Sequence, residues 1–266
     1  MKLVSFRNPA TSAPEWGVID GERIIPPGVG VSLATRAAAT TENHALADVV
    51  LLPPVSDPGK IICIGLNYRA HVAEAGRALP DQPSLFVRFT DTLVAHGAAL
   101  VRPAVSDNFD FEGELALVIG KAGRHIAEAD ALDHVAGYAC FNDGSIRDWQ
   151  KHSVSAGKNF PSTGGFGPWL VTADEIPDPA ALTLTTRLNG QVVQQAGTDM
   201  LIFPIPRLIA YVSAFTPLNP GDVIATGTPE GVGLTRTPPL WMKPGDQVEV
   251  EISGVGTLRN PIVAEG

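Results

Sequence analysis

Two glutamates separated by one residue are the first feature of this 266-residue sequence that could do chemistry. Glu112 and Glu114 lie in FDFEGELALVIG, a run with the apolar character of a buried strand. Alternate side chains of a strand share one face, so both carboxylates are expected beside Ala116 and Val118. Two buried carboxylates repel each other unless a cation joins them, whereas a solvated strand end would explain the pair without any function.

A third carboxylate follows another apolar run. HVAGYACF leads directly into Asn142-Asp143-Gly144, which either places Asp143 at a strand end or simply forms a turn. If the ends of neighbouring strands meet, Asp143 joins Glu112 and Glu114 in a site built only from oxygen ligands. Such a site suits Mg²⁺ or Mn²⁺ and not zinc or copper.

The segment GLNYRAHVAEAG offers a possible general base. His71 and Glu74 are three residues apart on a predicted helix that Gly76 closes, so they are neighbours on one side. A carboxylate beside an imidazole fixes its tautomer and raises its basicity, as a base acting on water requires. An exposed surface pair is the competing interpretation. Lys158, in AGKNFPSTGGFG, is either a solvated loop charge or a cation aimed into a cleft.

Other chemistries find little support in the sequence. The run TGTPEGVG at 226–233 lacks the lysine and the spacing of a phosphate-binding loop, and no Gly-x-Gly-x-x-Gly leads into a helix. Cys63 and Cys140 each lie in an apolar run without a neighbouring positive group. They are therefore predicted to be buried free thiols and not nucleophiles.

Charge and composition exclude several classes of partner. Lys and Arg number 19 against 28 Asp and Glu, a net charge of 19 − 28 = −9, which opposes binding to nucleic acid or to an anionic membrane surface. At 44% hydrophobic residues the chain can build a core, so disorder is excluded. No apolar run is long enough to span a membrane, and we expect a soluble, cytoplasmic protein.

The first 57 residues are predicted to form a small N-terminal domain. KLVSF, WGVID and ERIIP alternate like strands, with a hairpin turn at Asp20-Gly21. An alanine-rich helix is predicted over about residues 31–50, and the prolines of LLPPVSDPG end it. The catalytic domain is predicted to cover residues 58–266.

Within 58–266 the sequence is rich in strand patterns. Asn189-Gly190 between LTLTTRL and QVVQQ is a strong hairpin signal, and IPRLIAYVSAF has helical spacing. With 27 glycines and 23 prolines, many short strands and turns are expected. The predicted fold class is mainly β (α+β), a mixed β-sandwich roll or barrel with a small N-terminal α+β unit.

Several motifs in order resemble the fumarylacetoacetate hydrolase family, and especially its bacterial acylpyruvate-hydrolase and hydroxymuconate-isomerase-like branch. They cover roughly residues 58–264 and are GLNYRAHVAE, FEGELALVIGK, GYACFNDGSIRDWQ, GKNFPSTGGFGPWLV, LNGQVVQQ and NPGDVIATGTPEGVG. One departure is Arg88-Phe89, where many members have Lys-Pro beside the cleft. The resemblance also implies a homodimer.

The resemblance assigns roles to nine residues. One divalent cation, Mg²⁺ or Mn²⁺, would be held by Glu112, Glu114 and Asp143. The catalytic residues would be His71 and Glu74, which activate water, and Lys158, which stabilises developing negative charge. The substrate-binding residues would be Arg147 and Gln150 at the oxo-acid end, and Thr228 at the carboxylate.

The implied activity is metal-dependent hydrolysis of a C–C bond in a small anionic substrate, a 2,4-dioxo acid of the acylpyruvate or fumarylpyruvate type. The products would be pyruvate and a carboxylic acid. An oxaloacetate decarboxylase or a 2-hydroxymuconate-type isomerase or decarboxylase could use the same metal site, and the motifs do not separate these outcomes. A catalytically silent binding protein is the third hypothesis.

Overall fold

The computed structural model describes residues 1–33 and 35–266, which contain twenty β-strands and four α-helices. The strands are β1 Lys2–Arg7, β2 Pro14–Asp20, β3 Arg23–Ile25, β4 Ala38–Ala39, β5 His44–Ala45, β6 Val50–Leu52, β7 Ile61–Gly65, β8 Ser84–Val87, β9 Leu93–Val94, β10 Leu100–Arg102, β11 Phe109–Asp110, β12 Gly113–Ile119, β13 Val135–Asn142, β14 Ser145–Ile146, β15 Gly164–Thr172, β16 Thr183–Leu188, β17 Gln191–Gly197, β18 Val223–Ala225, β19 Gln247–Ile252 and β20 Gly256–Ala264. The helices are α1 Arg69–Glu74, α2 Arg147–Gln150, α3 Val154–Lys158 and α4 Ile205–Phe215.

The strands form one large mixed sheet and two smaller ones. The large sheet has the order β5-β3-β2-β1-β15-β13-β12-β18-β7-β8, with β4, β6 and β9 pairing to β2, β1 and β15. A five-stranded sheet has the order β10-β20-β19-β16-β17, and β11 pairs with β14. In the large sheet β12 is antiparallel to β13 and β18, while β7 is parallel to β18. The predicted mainly β, α+β fold is confirmed.

Strand β12 is the centre of the core because it is buried on both faces. Leu115 belongs to a cluster that includes Leu184 of the five-stranded sheet. On the other face, Ala116 belongs to a cluster with Phe141 of β13. Burying a side chain such as Leu115 contributes about 1.5–3 kcal/mol, so packing on both faces holds this strand rigidly in place.

The N-terminal strands form as predicted, but the alanine-rich helix does not. In the described part of 31–50, the chain forms β4, β5 and a short 3₁₀ turn at Leu46–Asp48, while position 34 lies outside the described residues. Ala38 and Ala39 are exposed, so a helix here would have no apolar face to bury. Pairing with β2 prevails, and the Thr40 N–H donates to the Trp16 carbonyl. The helix prediction is wrong because helix propensity is a weak guide without packing.

The N-terminal segment extends the large sheet through β1, which pairs with β15. The domain boundary between residues 57 and 58 stays a prediction. Among residues 1–33 and 35–266, no helix has both the length and the apolar character needed to cross a membrane.

Two local predictions in the second part of the chain are confirmed. β16 and β17 form a hairpin in which Asn189 and Gly190 have φ of +52° and +78°, as a two-residue turn of this type requires. Cys63 and Cys140 are free and fully buried, and burial raises the pKa of both thiols, that of Cys140 to about 12.

Candidate active site

Four neighbouring strands bring the predicted site residues to one edge of the large sheet. Glu112 and Glu114 lie at the start of β12, and Asp143 directly follows the antiparallel strand β13, so the three carboxylates are adjacent. The end of β18 reaches the same edge and leads to Thr228. β7 is parallel to β18, so its end also lies there and leads into α1 with His71.

The three predicted ligands could hold a metal ion. Glu112, Glu114 and Asp143 are all buried, and each offers one oxygen within 4.8 Å of the others. Burial, followed by repulsion from Asp143 and Glu112, raises the pKa of Glu114 well above its usual range. A hard divalent cation prefers oxygen ligands and would relieve this repulsion, so the donor set fits Mg²⁺ or Mn²⁺.

Lys158 lies against two of these carboxylates and is not a solvated loop charge. Its buried ammonium is 2.6 Å from Glu112 Oε2 and 2.5 Å from Asp143 Oδ2. Burial lowers the pKa of Lys158, but the two carboxylates outweigh burial and raise it. Burial raises the pKa of Glu112, yet Lys158 and Arg147 lower it to about 2. Glu112 and Lys158 therefore stay charged at neutral pH.

Arg147 is anchored by Asp110, which is not among the predicted site residues. Its Nε donates to Asp110 Oδ2 at 2.7 Å, and its Nη2 lies 2.6 Å from Glu112 Oε1. Its Nη1 donates to Gln150 Oε1 at 2.8 Å, which leaves the Gln150 amide nitrogen to donate to a ligand. Asp110 also accepts backbone N–H groups of Gly233 and Leu234, so it ties Arg147 to the glycine-rich loop.

The histidine pair is also tied to that loop. His71 Nδ1 lies 3.2 Å from Glu74 Oε1, and both Glu74 oxygens accept the Gly231 N–H. Burial raises the pKa of Glu74, but hydrogen bonds from His71 and Gly231 outweigh it and lower the pKa. An ionised Glu74 only accepts, so Nδ1 carries the hydrogen and Nε2 of His71 is left as the basic nitrogen.

Arg88 has a larger part in the site than its position beside the cleft indicated. Its buried guanidinium donates to Asp143 Oδ1 at 2.6 Å and to the Gly144 carbonyl at 3.0 Å. Its Nη2 and Nε donate to the hydroxyls of Thr163 and Thr92. These contacts fix Oδ1 of Asp143, while its Oδ2 lies against Lys158.

We expect Arg88→Lys and Arg88→Met to weaken metal binding, because an ammonium offers no planar fork and methionine offers no donor at all. Loss of such supporting contacts typically lowers metal affinity about 10- to 100-fold. Calorimetric titration of EDTA-treated protein with Mn²⁺ measures the effect. Arg207→Met, at a partly exposed arginine outside the site, is the control, and an unchanged affinity in Arg88→Met would contradict the assignment.

Gly227 holds the glycine-rich loop against the site. Its N–H donates to Glu114 Oε2 at 2.8 Å, and its φ is +102°. A Cβ there would lie 2.8 Å from Asn67 Cβ and 2.9 Å from the Ile64 carbonyl oxygen. The close approach of this loop to the end of β7 therefore requires glycine.

We expect Gly227→Ala to lower the melting temperature, because it adds a steric clash to a conformation that costs about 1–3 kcal/mol without glycine. At about 2–4 °C per kcal/mol, the backbone conformation alone should lower the melting temperature by roughly 2–12 °C, and the clash should add to this. Gly245→Ala is the matched control, since Gly245 has φ of +97° but no atom within 4 Å of a Cβ. Equal decreases in the two variants, measured by thermal unfolding, would show that the clash contributes nothing.

A cavity of about 500 Å³ opens over these groups. Asp143 lies against Lys158 and does not line the cavity. The other eight predicted site residues do line it: His71, Glu74, Glu112, Glu114, Arg147, Gln150, Lys158 and Thr228. Apolar side chains complete the wall, among them Leu66, Phe86, Val232 and Leu234. The cavity therefore has a charged floor, and apolar side chains together with the exposed Arg77 and Lys151 line the rest of it.

Known proteins match the chain over nearly its whole length. It is 38% identical to the mitochondrial oxaloacetate tautomerase fahd2 of Xenopus laevis over 288 aligned positions, covering 99% of this chain and 90% of the relative. Two solved structures superpose over all of both chains with a TM-score of 0.83. They are the 5-carboxymethyl-2-hydroxymuconate delta-isomerase of Mycobacterium smegmatis, at 34% identity, and the fumarylacetoacetate hydrolase of Exiguobacterium antarcticum, at 33%.

The matched region also agrees with the motifs in the sequence. The family model described as fumarylacetoacetate (FAA) hydrolase C-terminal matches residues 60–263, which contain all nine predicted site residues. The chain belongs to the fumarylacetoacetate hydrolase family, and its similarity to enzymes of that family supports an enzymatic activity.

Proposed function

We propose that this protein is a metal-dependent tautomerase that interconverts the keto and enol forms of a 2-oxo dicarboxylic acid of the oxaloacetate type. The observation that carries the proposal is the 38% identity, over 99% of the chain, to a protein named as an oxaloacetate tautomerase. Similarity to a hydroxymuconate isomerase points to the same class of proton shift. These similarities favour proton transfer over C–C hydrolysis, although hydrolysis is the activity that the motifs alone favoured.

The charges around the cavity floor support an anionic substrate. Four carboxylates, those of Asp110, Glu112, Glu114 and Asp143, meet three cations, Arg88, Arg147 and Lys158. If all are ionised, the cluster carries 3 − 4 = −1, and one divalent cation brings it to +1. An acidic protein thus obtains a locally positive site that attracts a dicarboxylate.

We assign the divalent cation to Glu112, Glu114 and Asp143. When bound there, it supplies Lewis-acid polarisation of the 2-oxo group. Glu114 depends most on this cation, because its hydrogen-bond donor is the Gly227 backbone, whereas Glu112 and Asp143 already have cationic partners.

Lys158 and Arg147 would face the substrate's oxygens. Lys158 would stabilise the negative charge that develops on the 2-oxo oxygen through its own positive charge, because its three hydrogens already go to Glu112 Oε2, Asp143 Oδ2 and the Asp143 carbonyl. The Arg147 side chain, the Gln150 amide nitrogen and Thr228 would hold the carboxylate end. Together they fix which carbon of the substrate faces His71.

His71 is the group that would move the proton. Its Nε2 removes a proton from C3, the C–H electron pair forms the C2=C3 double bond, and the charge passes to the 2-oxo oxygen. Return of the proton to that oxygen gives the enol, and the reverse sequence gives the ketone, so no atom is gained or lost. Glu74 stabilises the imidazolium that forms between these steps.

C–C bond hydrolysis is the second candidate, and the similarity to a fumarylacetoacetate hydrolase favours it. In that reaction His71 would take its proton from water instead of from C3, with the same cations stabilising the enolate that leaves. Decarboxylation of oxaloacetate would use the same charge stabilisation without a base. A longer acyl chain would lie against the apolar side chains that line the cavity, such as Leu66 and Val232.

Comparison of the rates with different substrates tests the proposal. Conversion of enol-oxaloacetate to the ketone, followed by ultraviolet absorbance, should be faster with Mg²⁺ or Mn²⁺ and should stop in EDTA. Pyruvate release from acetylpyruvate and fumarylpyruvate, and CO₂ release from oxaloacetate, are measured on the same preparation. Faster pyruvate release than enol conversion would reverse the order of the candidates. Absence of every activity together with absence of Mg²⁺ binding would favour a silent binding protein.

We also propose that the protein acts as a homodimer, since twofold pairing is the commonest assembly of enzymes of this size. Light scattering at micromolar concentration should give twice the chain mass of 27.9 kDa. A mass of one chain would contradict the dimer.

A further inference from the structure

A buried glutamine in the five-stranded sheet touches two elements of the site. Gln194 lies on β17 and is 2% exposed. Its side chain contacts the backbone of Gly113, between the two metal-site glutamates, and the loop at Thr228 and Pro229. It lies in the motif LNGQVVQQ, but neither the motif nor the roles described above give it a function.

The hydrogen bonds of Gln194 leave its amide only one orientation. The Gly113 N–H can only donate, so the atom facing it at 3.0 Å is Oε1. The Pro229 carbonyl can only accept, so the atom facing it at 3.0 Å is Nε2. Both ends of the amide are therefore identified by backbone groups, which cannot exchange roles.

This orientation determines the polarity of the Thr228 hydroxyl. Gln194 Nε2 lies 2.8 Å from Thr228 Oγ1, and because Nε2 has no lone pair to offer, Oγ1 is the acceptor. The hydroxyl hydrogen must then point elsewhere. Within residues 1–33 and 35–266, no protein group accepts it, and Thr228 lines the cavity. The free hydrogen is therefore available to a ligand.

We propose that Gln194 is a positioning residue that makes the Thr228 hydroxyl a hydrogen-bond donor into the cavity. The subsite then takes an acceptor oxygen, that of a carboxylate or a carbonyl, and disfavours a group that offers only donors, such as an ammonium. The inference rests on the proposed function, since it specifies which end group of the 2-oxo acid this side of the cavity binds. A site built to bond one polarity rejects the other because a buried donor would lose its partner.

Gln194→Glu reverses the polarity with almost no change in shape. Its carboxylate can still accept from Gly113, but it can only accept from Thr228, so it draws the hydroxyl hydrogen away from the cavity. Gln194→Met keeps the length and removes both polar atoms, so the hydroxyl is no longer oriented. Gln195→Glu is the matched control, because the neighbouring side chain is exposed on the opposite face of the same strand.

The experiment is a double-mutant cycle with oxalate as the probe, in Mg²⁺, by calorimetry. We expect Gln194→Glu and Thr228→Val each to weaken oxalate binding about tenfold, or ~1.4 kcal/mol, and the double variant to be no worse than Thr228→Val. Thr228→Ser keeps the hydroxyl and should bind oxalate more tightly than Thr228→Val, and Gln195→Glu should keep the wild-type affinity. KM for oxaloacetate should rise with these losses while kcat changes less.

Two results would overturn the inference. The first is an additive double variant, which would mean that Gln194 does not act through Thr228. The second is unchanged oxalate affinity in both Gln194→Glu and Gln194→Met, with circular dichroism confirming that they fold. The cycle measures oxalate affinity and requires no turnover. The role of Gln194 can therefore be tested even if the protein proves not to be a tautomerase.

Discussion

Replacing Glu114 by glutamine is expected to abolish metal-dependent turnover while stabilising the metal-free protein. Activity should fall because the variant lacks one of the three carboxylates proposed to hold the cation, and loss of such charge stabilisation costs on the order of 10²-fold or more in kcat/KM. Stability rises because a buried charge beside Asp143 and Glu112 is replaced by a neutral amide that can donate to them. Enzyme assays in Mg²⁺ and thermal unfolding in EDTA measure the two effects.

The stability effect has a predictable pH dependence. Burial and neighbouring carboxylates raise the folded-state pKa of Glu114 above its unfolded value of about 4.3. A raised pKa stabilises the fold below the unfolded value, and this stabilisation is lost as pH rises through the folded-state pKa. In EDTA the contribution of Glu114 to stability should therefore fall as pH rises above about 4.3, and the difference in stability between Glu114→Gln and the wild type should grow with pH.

The control for this pair of effects is Glu128→Gln, at an exposed carboxylate that faces Arg207. It should change neither activity nor melting temperature, because surface ion pairs contribute about 0–1 kcal/mol. A Glu114→Gln variant that keeps both Mn²⁺ affinity and activity would remove Glu114 from the metal site.

Replacing His71 by glutamine should lower kcat about 10²- to 10⁴-fold, which is the usual contribution of a positioned general base. Glutamine fills similar space and can still contact Glu74, but it cannot accept a proton at neutral pH. Metal affinity should change little, because the proposed ligands are carboxylates. The measurement is kcat for enol conversion beside a Mn²⁺ titration of the same variant.

Two further variants isolate the role of the base. Glu74→Gln should lose less than His71→Gln, because its amide oxygen still accepts the Nδ1 hydrogen and only the charge is gone. His152→Gln changes an exposed histidine near Trp149 and should leave kcat unchanged. If His71→Gln stays within tenfold of the wild-type kcat, another group moves the proton.

The carboxylates could be found from the sequence because each is a charge at the end of an apolar run. Glu112, Glu114 and Asp143 stand where burial conflicts with charge, and such a conflict commonly marks a function. Asp110 continues the same period of two, so extending the pattern by one step would have found it. Their common position at one sheet edge followed from strand pairing.

Other partners could not be found because their signals are tertiary. Arg88 pairs with Asp143, 55 residues further along the chain, and its local sequence resembles a strand with one solvent-facing charge. In QVVQQ, Gln194 and Gln195 face opposite sides of β17, and only the register of the sheets shows which one is buried. The helix prediction for the alanine-rich stretch was wrong for the opposite reason. Its local helix propensity is strong, but a helix there would have no apolar face to pack.

Because the site lies at one edge of the sheet, substrate preference can change while the reaction centre is kept. The three carboxylates lie at or beside the ends of β12 and β13, whose spacing is set by the hydrogen-bond ladder between these two buried strands. Part of the apolar lining of the cavity instead comes from connecting segments, such as those at Leu66 and Val232, which can vary without disturbing that ladder. Exchange of these connecting segments between relatives should therefore transfer the preference for the distal part of a substrate, while the reaction centre stays the same. The fold separates the selection of a molecule from the chemistry performed on it.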